Sequence, residues 1–147
     1  MPKGFFITGT DTGVGKTVIT AALIKAIGLL GLRAGGMKPI ETGCLKTNFE
    51  FRISNFEFEN TKLLPNDGMF LKEIAGMDDS IDLVTPIRFE NPLAPLPASE
   101  IEGLSVDLKK IKRAYTELSK NYDVVIVEGI GGLLVPITKG LCPFEPP

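Results

Sequence analysis

The stretch GTDTGVGKT, residues 9 to 17, constrains this chain more than any other. It stands between an apolar run, Phe5-Phe6-Ile7, and a helical-looking run from Val18 to Leu30. A glycine-rich turn from strand to helix points successive backbone N–H groups and the helix N-terminus at one spot, which then favours an anion. Gly13 and Gly15 allow positive φ and close backbone approach. Lys16 is placed to reach terminal phosphates, and Thr17 offers a hydroxyl to Mg2+. The spacing departs from the common phosphate-loop pattern of Gly, four residues, then Gly-Lys-Ser/Thr. The position that pattern gives to glycine is Thr10, and Gly9 comes one residue too early. A loop longer by one residue keeps each of these functions.

The elements around the loop set the fold class. Lys3 to Thr8 reads as a short buried strand. Val18 to Leu30 is apolar on more than one face and reads as a well-buried helix, closed by Gly28 or Gly31. Arg33 to Ile40 reads as a second strand. Strand, glycine loop, helix, strand is the parallel crossover unit of an α/β fold. Near the other end, Val124 to Val127 is a continuous Val/Ile run of the kind a central parallel strand needs, since both its faces are buried. Leu133 to Ile137 is a candidate for one further short strand.

Between these lie less regular stretches. NFEFRIS at 48–54 is followed directly by NFEFENT at 55–61, a seven-residue tandem repeat. It reads as a loop inserted within 45–65, which exposed connections tolerate at small entropic cost. Asn66-Asp67-Gly68 reads as a turn or helix cap. A short helix follows, with Phe70 and Ile74 on one face and Gly76 as its stop. Residues 85–99 hold four of the eleven prolines, and the stretch reads as a loop over the surface or the site rather than a regular helix. Val106 to Tyr122 reads as an amphipathic helix with Leu108, Ile111, Tyr115 and Leu118 inward.

A chain of 147 residues is long enough for one domain with a real core. A net charge of −2 gives no hint of a nucleic-acid partner. No apolar stretch reaches the length of a membrane span, since Lys25 interrupts the best candidate, and no signal peptide is visible. The cysteines, Cys44 and Cys142, lack metal-site spacing and read as free thiols in a reducing cytoplasm. The absence of histidine excludes Ser-His and Cys-His nucleophilic systems and any His-ligated metal. Chemistry here falls to lysines, carboxylates, hydroxyls, backbone amides and a bound hard cation.

Glu128 ends the strand 124–127, at the carboxyl side where open α/β sheets bind ligands. Nucleotide-bound Mg2+ takes one or two carboxylates beside phosphate oxygens and water. Glu128 is therefore a candidate metal ligand, and Gly129, Gly131 and Gly132 give a loop that a nucleotide can pass closely. Asp67 is a candidate second carboxylate or a helix cap. Lys38, at the end of the second strand, is a candidate to offset negative charge on a substrate or a transferring phosphoryl group.

Taken in order, GTDTGVGKT, KPIETG (38–43), NDG (66–68) and VEGIGG (127–132) resemble the dethiobiotin synthetases. The resemblance runs from about residue 3 to 138, and that family's phosphate loop carries the same one-residue extension. It implies a phosphate-loop NTPase-like parallel sheet flanked by helices, working as a cytoplasmic homodimer. It also implies ATP-dependent closure of a cyclic urea from 7,8-diaminopelargonate and CO2, with Mg2+. On matching positions, Gly13, Val14, Gly15, Lys16, Thr17 and Val18 would wrap the ATP phosphates. Asp67, Glu128, Gly129, Ile130 and Gly131 would complete the nucleotide site. Thr17, Asp67 and Glu128 would hold Mg2+, Lys38 would be catalytic, and Thr12 and Thr42 would contact substrate. A partitioning or amidating phosphate-loop ATPase is the alternative, although many of those carry an extra lysine early in the loop. The family continues beyond the VEGIGG region. The chain therefore reads as a partial domain, C-terminally truncated and incomplete in its sheet, with weak stability or dependence on dimerisation and impaired nucleotide binding. An inactive remnant is the third reading.

Overall fold

The computed structural model describes residues 3–46 and 63–141. Its centre is a parallel sheet of three strands, β1 (Lys3–Ile7), β7 (Val124–Glu128) and β2 (Ala34–Met37), in the order β1-β7-β2. The register is in phase, with Gly4 and Gly35 both opposite Val125. The expected central strand is thus central, and its alternate residues feed opposite layers. Val124 and Ile126 pack with Ala21, Ile24 and Leu71 on one face. On the other face Val125 packs with Met37, Val84, Ala114 and Leu118. Burying each of these larger side chains is worth ~1.5–3 kcal/mol.

Two helices cover the first face, α1 (Lys16–Leu29) and α2 (Asn66–Ala75), and two the second, α3 (Ile81–Val84) and α5 (Leu108–Asn121). The parallel sheet flanked by helices is the expected class. Several expected details are corrected. α1 starts at Lys16, two residues earlier than the apolar run. It is buried on one side only. Thr20, Ala21 and Ile24 face in, while Val18, Ile19 and Leu23 face out. In α2 the inward residues are Gly68 and Leu71, with Ile74 beside them, and Phe70 is exposed. In α5, Ala114 and Leu118 are buried, Ile111 and Tyr115 pack at the margin, and Leu108 is exposed.

The expected strand 33–40 is broken in two. Pro39 has no N–H to give a ladder. The Lys38 amide instead donates to Val84 O, and a separate strand β3 (Ile40–Glu41) pairs in parallel with β6 (Ile87–Arg88). Within the proline-rich stretch a helix does form, α4 (Pro95–Glu102). Pro95 and Pro97 fall in its first turn, where backbone N–H groups lack helical partners anyway, so neither proline breaks it. Leu133 to Ile137 forms no strand, and only an isolated bridge joins Thr138 to Leu141. β4 (Leu45–Lys46) and β5 (Leu63–Leu64) pair antiparallel, which brings the two ends of the 47–62 connection together. The tandem repeat itself lies outside the described residues.

Candidate nucleotide-binding site

The loop after β1 ends in two glycines that need positive φ, Gly13 at 76° and Gly15 at 96°. Gly15 caps α1 in the left-handed conformation, so the first-turn amides of the helix open into the cleft. Lys16 follows immediately. It is buried, and its ammonium folds back over the loop to donate to Asp11 O at 2.5 Å. Thr17 faces across to β7, and its hydroxyl donates to Glu128 Oε1 at 2.8 Å. The loop after β7 closes against the same turn. A Cβ on Gly132 would lie 2.5 Å from Thr10 O, so only glycine fits that contact.

Glu128 is 1% exposed and receives a second donor on the same oxygen, Lys38 Nζ at 2.5 Å. Lys38 also reaches Asp67 Oδ2 at 3.0 Å. Burial works against the Lys38 charge, but Glu128 and then Asp67 outweigh it and hold its pKa above the ordinary lysine value. The other carboxylate oxygen of Glu128, Oε2, is buried and has no partner among the described residues. Residues 111, 90 and 61 positions apart from Glu128 in sequence thus meet at one point, brought there by the parallel crossover and the α2 turn.

These groups line one cleft of about 270 Å3. Thr12, Gly13, Gly15, Lys16, Thr17 and Val18 form one wall. Lys38, Glu41, Thr42, Asp67, Glu128, Ile130 and Gly131 form the rest. Two expected site residues are not part of that lining. Val14 turns back over Gly9, whose added Cβ would meet Val14 Cγ2 at 2.7 Å. Gly129 donates to Ile7 O at 2.8 Å and lies against the Phe6 ring, which places it in packing. Sequence reasoning missed one cleft residue, Glu41, although it stands in the quoted KPIETG. Its carboxylate is 5% exposed and accepts from the amides of Asp67 and Gly68, both at 2.9 Å. Burial pushes this carboxyl above the usual carboxylate range, and the two amides pull it back in part. Asp67, read from sequence as a possible cap, lies in the first turn of α2 and is not its N-cap. Next along the segment, burial pushes the Cys44 thiol up to about 12, so it is a packing residue rather than a nucleophile.

The donor set fits a hard divalent cation. Among the described residues no cluster of three His, Cys, Asp or Glu side chains is poised to hold a metal. What the cleft offers a cation is the Asp67 carboxylate, the Thr17 hydroxyl and Glu128, whose buried Oε2 has no partner among the described residues. Mg2+ accompanying a nucleotide needs no more from protein, because phosphates and water fill its remaining positions.

A lengthened phosphate loop on a parallel sheet, with a carboxylate at the end of the neighbouring strand, places the chain in the phosphate-loop NTPase-like class of α/β domains. Residues 3–142 match the family model described as an AAA domain, and the chain belongs to that family. Among curated proteins it is similar to an ATP-dependent dethiobiotin synthetase of Thermodesulfovibrio yellowstonii, 51% identical over 95% of this chain and 53% of that protein. A synthetase of the same name from Anaeromyxobacter dehalogenans is 38% identical over 92% of this chain and 54% of its own length. One from Methanocaldococcus jannaschii is 38% identical, covering 91% and 55%. The chain spans about half the length of these relatives. No helix among the described residues is long and apolar enough to cross a membrane.

Proposed function

We propose that this site serves an ATP-dependent dethiobiotin synthetase, a cyclo-ligase that closes the ureido ring of dethiobiotin from 7,8-diaminopelargonate and CO2 in biotin biosynthesis. The observation that carries the reading is Lys38. Its ammonium is held between Asp67 and Glu128, opposite the phosphate loop, where a γ-phosphate and an acceptor would meet. The similarity to the dethiobiotin synthetases supports the choice of substrates.

In this reading an amine of the substrate takes up CO2 as a carbamate. A carbamate oxygen attacks the γ-phosphorus and ADP leaves. The second amine then attacks the carbamoyl carbon, phosphate departs, and the ring is closed. Each step gathers negative charge near the γ-phosphate, and catalysis is positioning plus charge compensation. The amides from Gly13 to Val18 hold the phosphate oxygens. Lys16 exchanges Asp11 O for a terminal phosphate oxygen. Lys38 offsets the charge shared between carbamate and transferring phosphoryl. Thr12 and Thr42 orient the diamine, and Ile130 and Gly131 flank the nucleotide. Thr17, Asp67 and Glu128 would hold Mg2+, which supplies Lewis-acid charge neutralisation on the phosphates when bound. The protein acts as a cytoplasmic homodimer, and the buried thiol of Cys44 is in keeping with a reducing compartment.

Phosphate release from ATP, followed with and without the diamine and bicarbonate, tests the reading. Release that needs both is expected, and Lys38→Ala should lower kcat by about 10²- to 10³-fold. Release independent of the diamine would point instead to another phosphate-loop ATPase. No release at all sinks the assignment.

A further inference from the structure

The start of α2 has no cap of its own. Pro65 occupies the N-cap and its side chain accepts nothing, so the amides of the first turn need acceptors from elsewhere. Glu41 supplies them from β3. Asp67 N donates to Oε1 and Gly68 N to Oε2, each at 2.9 Å, one carboxylate oxygen per amide. A negative charge at a helix N-terminus is also favoured by the aligned peptide dipoles. A steric stop adds to this anchor. A Cβ on Gly68 would lie 1.9 Å from Thr85 Oγ1 and 3.6 Å from Glu41 Oε2, so the first turn sits flush on both neighbours. The turn fixed in this way is the one that carries the Asp67 carboxylate to 3.0 Å from Lys38 Nζ. Lys38, Glu41 and Thr42 belong to one short segment, and all three line the cleft.

We propose that Glu41 is a positioning residue: through the Asp67 and Gly68 amides it sets where the Asp67 carboxylate stands relative to Lys38 and Glu128. It acts on the bound nucleotide only through Asp67. The link between the 38–42 segment and α2 is therefore made by a carboxylate-to-backbone bridge. The proposal rests on reading Asp67 as a ligand of the nucleotide's cation.

The test is a double-mutant cycle on Mn2+·ATP affinity, measured by electron paramagnetic resonance on the 147-residue protein. Glu41→Ala is expected to weaken binding about tenfold, the scale of losing a group that orients a ligand. Asp67→Ala should weaken it at least as much, and the double variant no further than Asp67→Ala alone. Glu41→Gln, which keeps one acceptor oxygen, should recover part of the loss. Amide hydrogen exchange gives the independent readout. Asp67 and Gly68 should exchange faster in Glu41→Ala while β7 keeps its protection, which also shows that the variant folds. Unchanged affinity in Glu41→Ala, or losses that add in the double variant, overturns the proposal. A wild-type chain with no affinity for Mn2+·ATP overturns the reading of the site instead, and the coupling to the cation falls with it.

Discussion

At the residue scale, one oxygen of Glu128 accepts from both the Thr17 hydroxyl and the Lys38 ammonium, while its twin has no partner among the described residues. The ammonium stands where two carboxylates converge, so it compensates a buried charge before any ligand does. Removing it should be costly. Taking one partner from a buried ion pair commonly destabilises by about 3–5 kcal/mol, because the other charge is left uncompensated. Asp67 is half-exposed and adds little on its own, so Glu128 dominates the loss. Lys38→Ala is therefore expected to melt well below the wild type in the absence of divalent cation, and millimolar Mg2+ should restore part of the difference in the variant. Equal melting temperatures without Mg2+ would show that Glu128 does not depend on Lys38. Lys38 and Glu128 were legible in the sequence because each ends a readable strand. Glu41 was not. A glutamate beside a strand end looks like a solvated charge, and its partners are backbone amides 26 and 27 residues away, which no side-chain pattern announces.

At the element scale, the same contrast separates what the sequence revealed from what it hid. The β1-loop-α1 unit and β7 were legible, since a glycine turn and an unbroken Val/Ile run have few other uses in a fold. Burial of α1 was misjudged because its apolar residues surround the helix, and periodicity cannot choose which side meets the sheet. α4 was hidden by prolines that sit harmlessly in a first turn. β2 is a further case. Its AGGM sequence has weak strand propensity, yet it is buried along its full length. The glycines are there for approach. A Cβ on Gly36 would meet Ile24 Cδ1 at 2.9 Å and Leu71 Cβ at 3.1 Å, and one on Gly35 the Tyr122 ring at 2.8 Å. These two positions let α1 and α2 settle on one face and the end of α5 on the other. Gly36→Ala should overpack the α1–α2 seam and cost about 1–3 kcal/mol in chemical denaturation. Gly28→Ala is the matched control, since its Cβ meets nothing within 4 Å and it lies inside α1, where alanine raises helix propensity. The two substitutions should move stability in opposite directions, and a shared sign would remove the close-packing explanation of β2.

At the scale of the whole molecule, coverage of the sheet is uneven. A parallel sheet is normally covered on both faces along its width. Here the helices lie over β7 and β2, while β1 pairs with β7 alone and has an open edge among the described residues. Successive residues of β1 point to opposite faces, so Phe5 at 55% and Phe6 at 53% exposure leave apolar surface on both sides of that edge. The outer side of α1 adds Val18, Ile19 and Leu23. The physical consequence for these 147 residues follows from exposure alone. An unpaired, apolar strand edge is a template for further pairing, and a lysine on it is the usual obstacle. The 147-residue chain is therefore expected to bind a hydrophobic dye when folded and to sediment as a concentration-dependent mixture. Phe5→Lys should reduce both effects. Its melting temperature at high dilution should change little, since a half-exposed side chain gives up only part of the ~1.5–3 kcal/mol of full burial. If Phe5→Lys bound as much dye and associated as readily as the parent, the β1 edge would not be the adhesive surface, and the outer side of α1 would be the next to change, through Ile19→Lys.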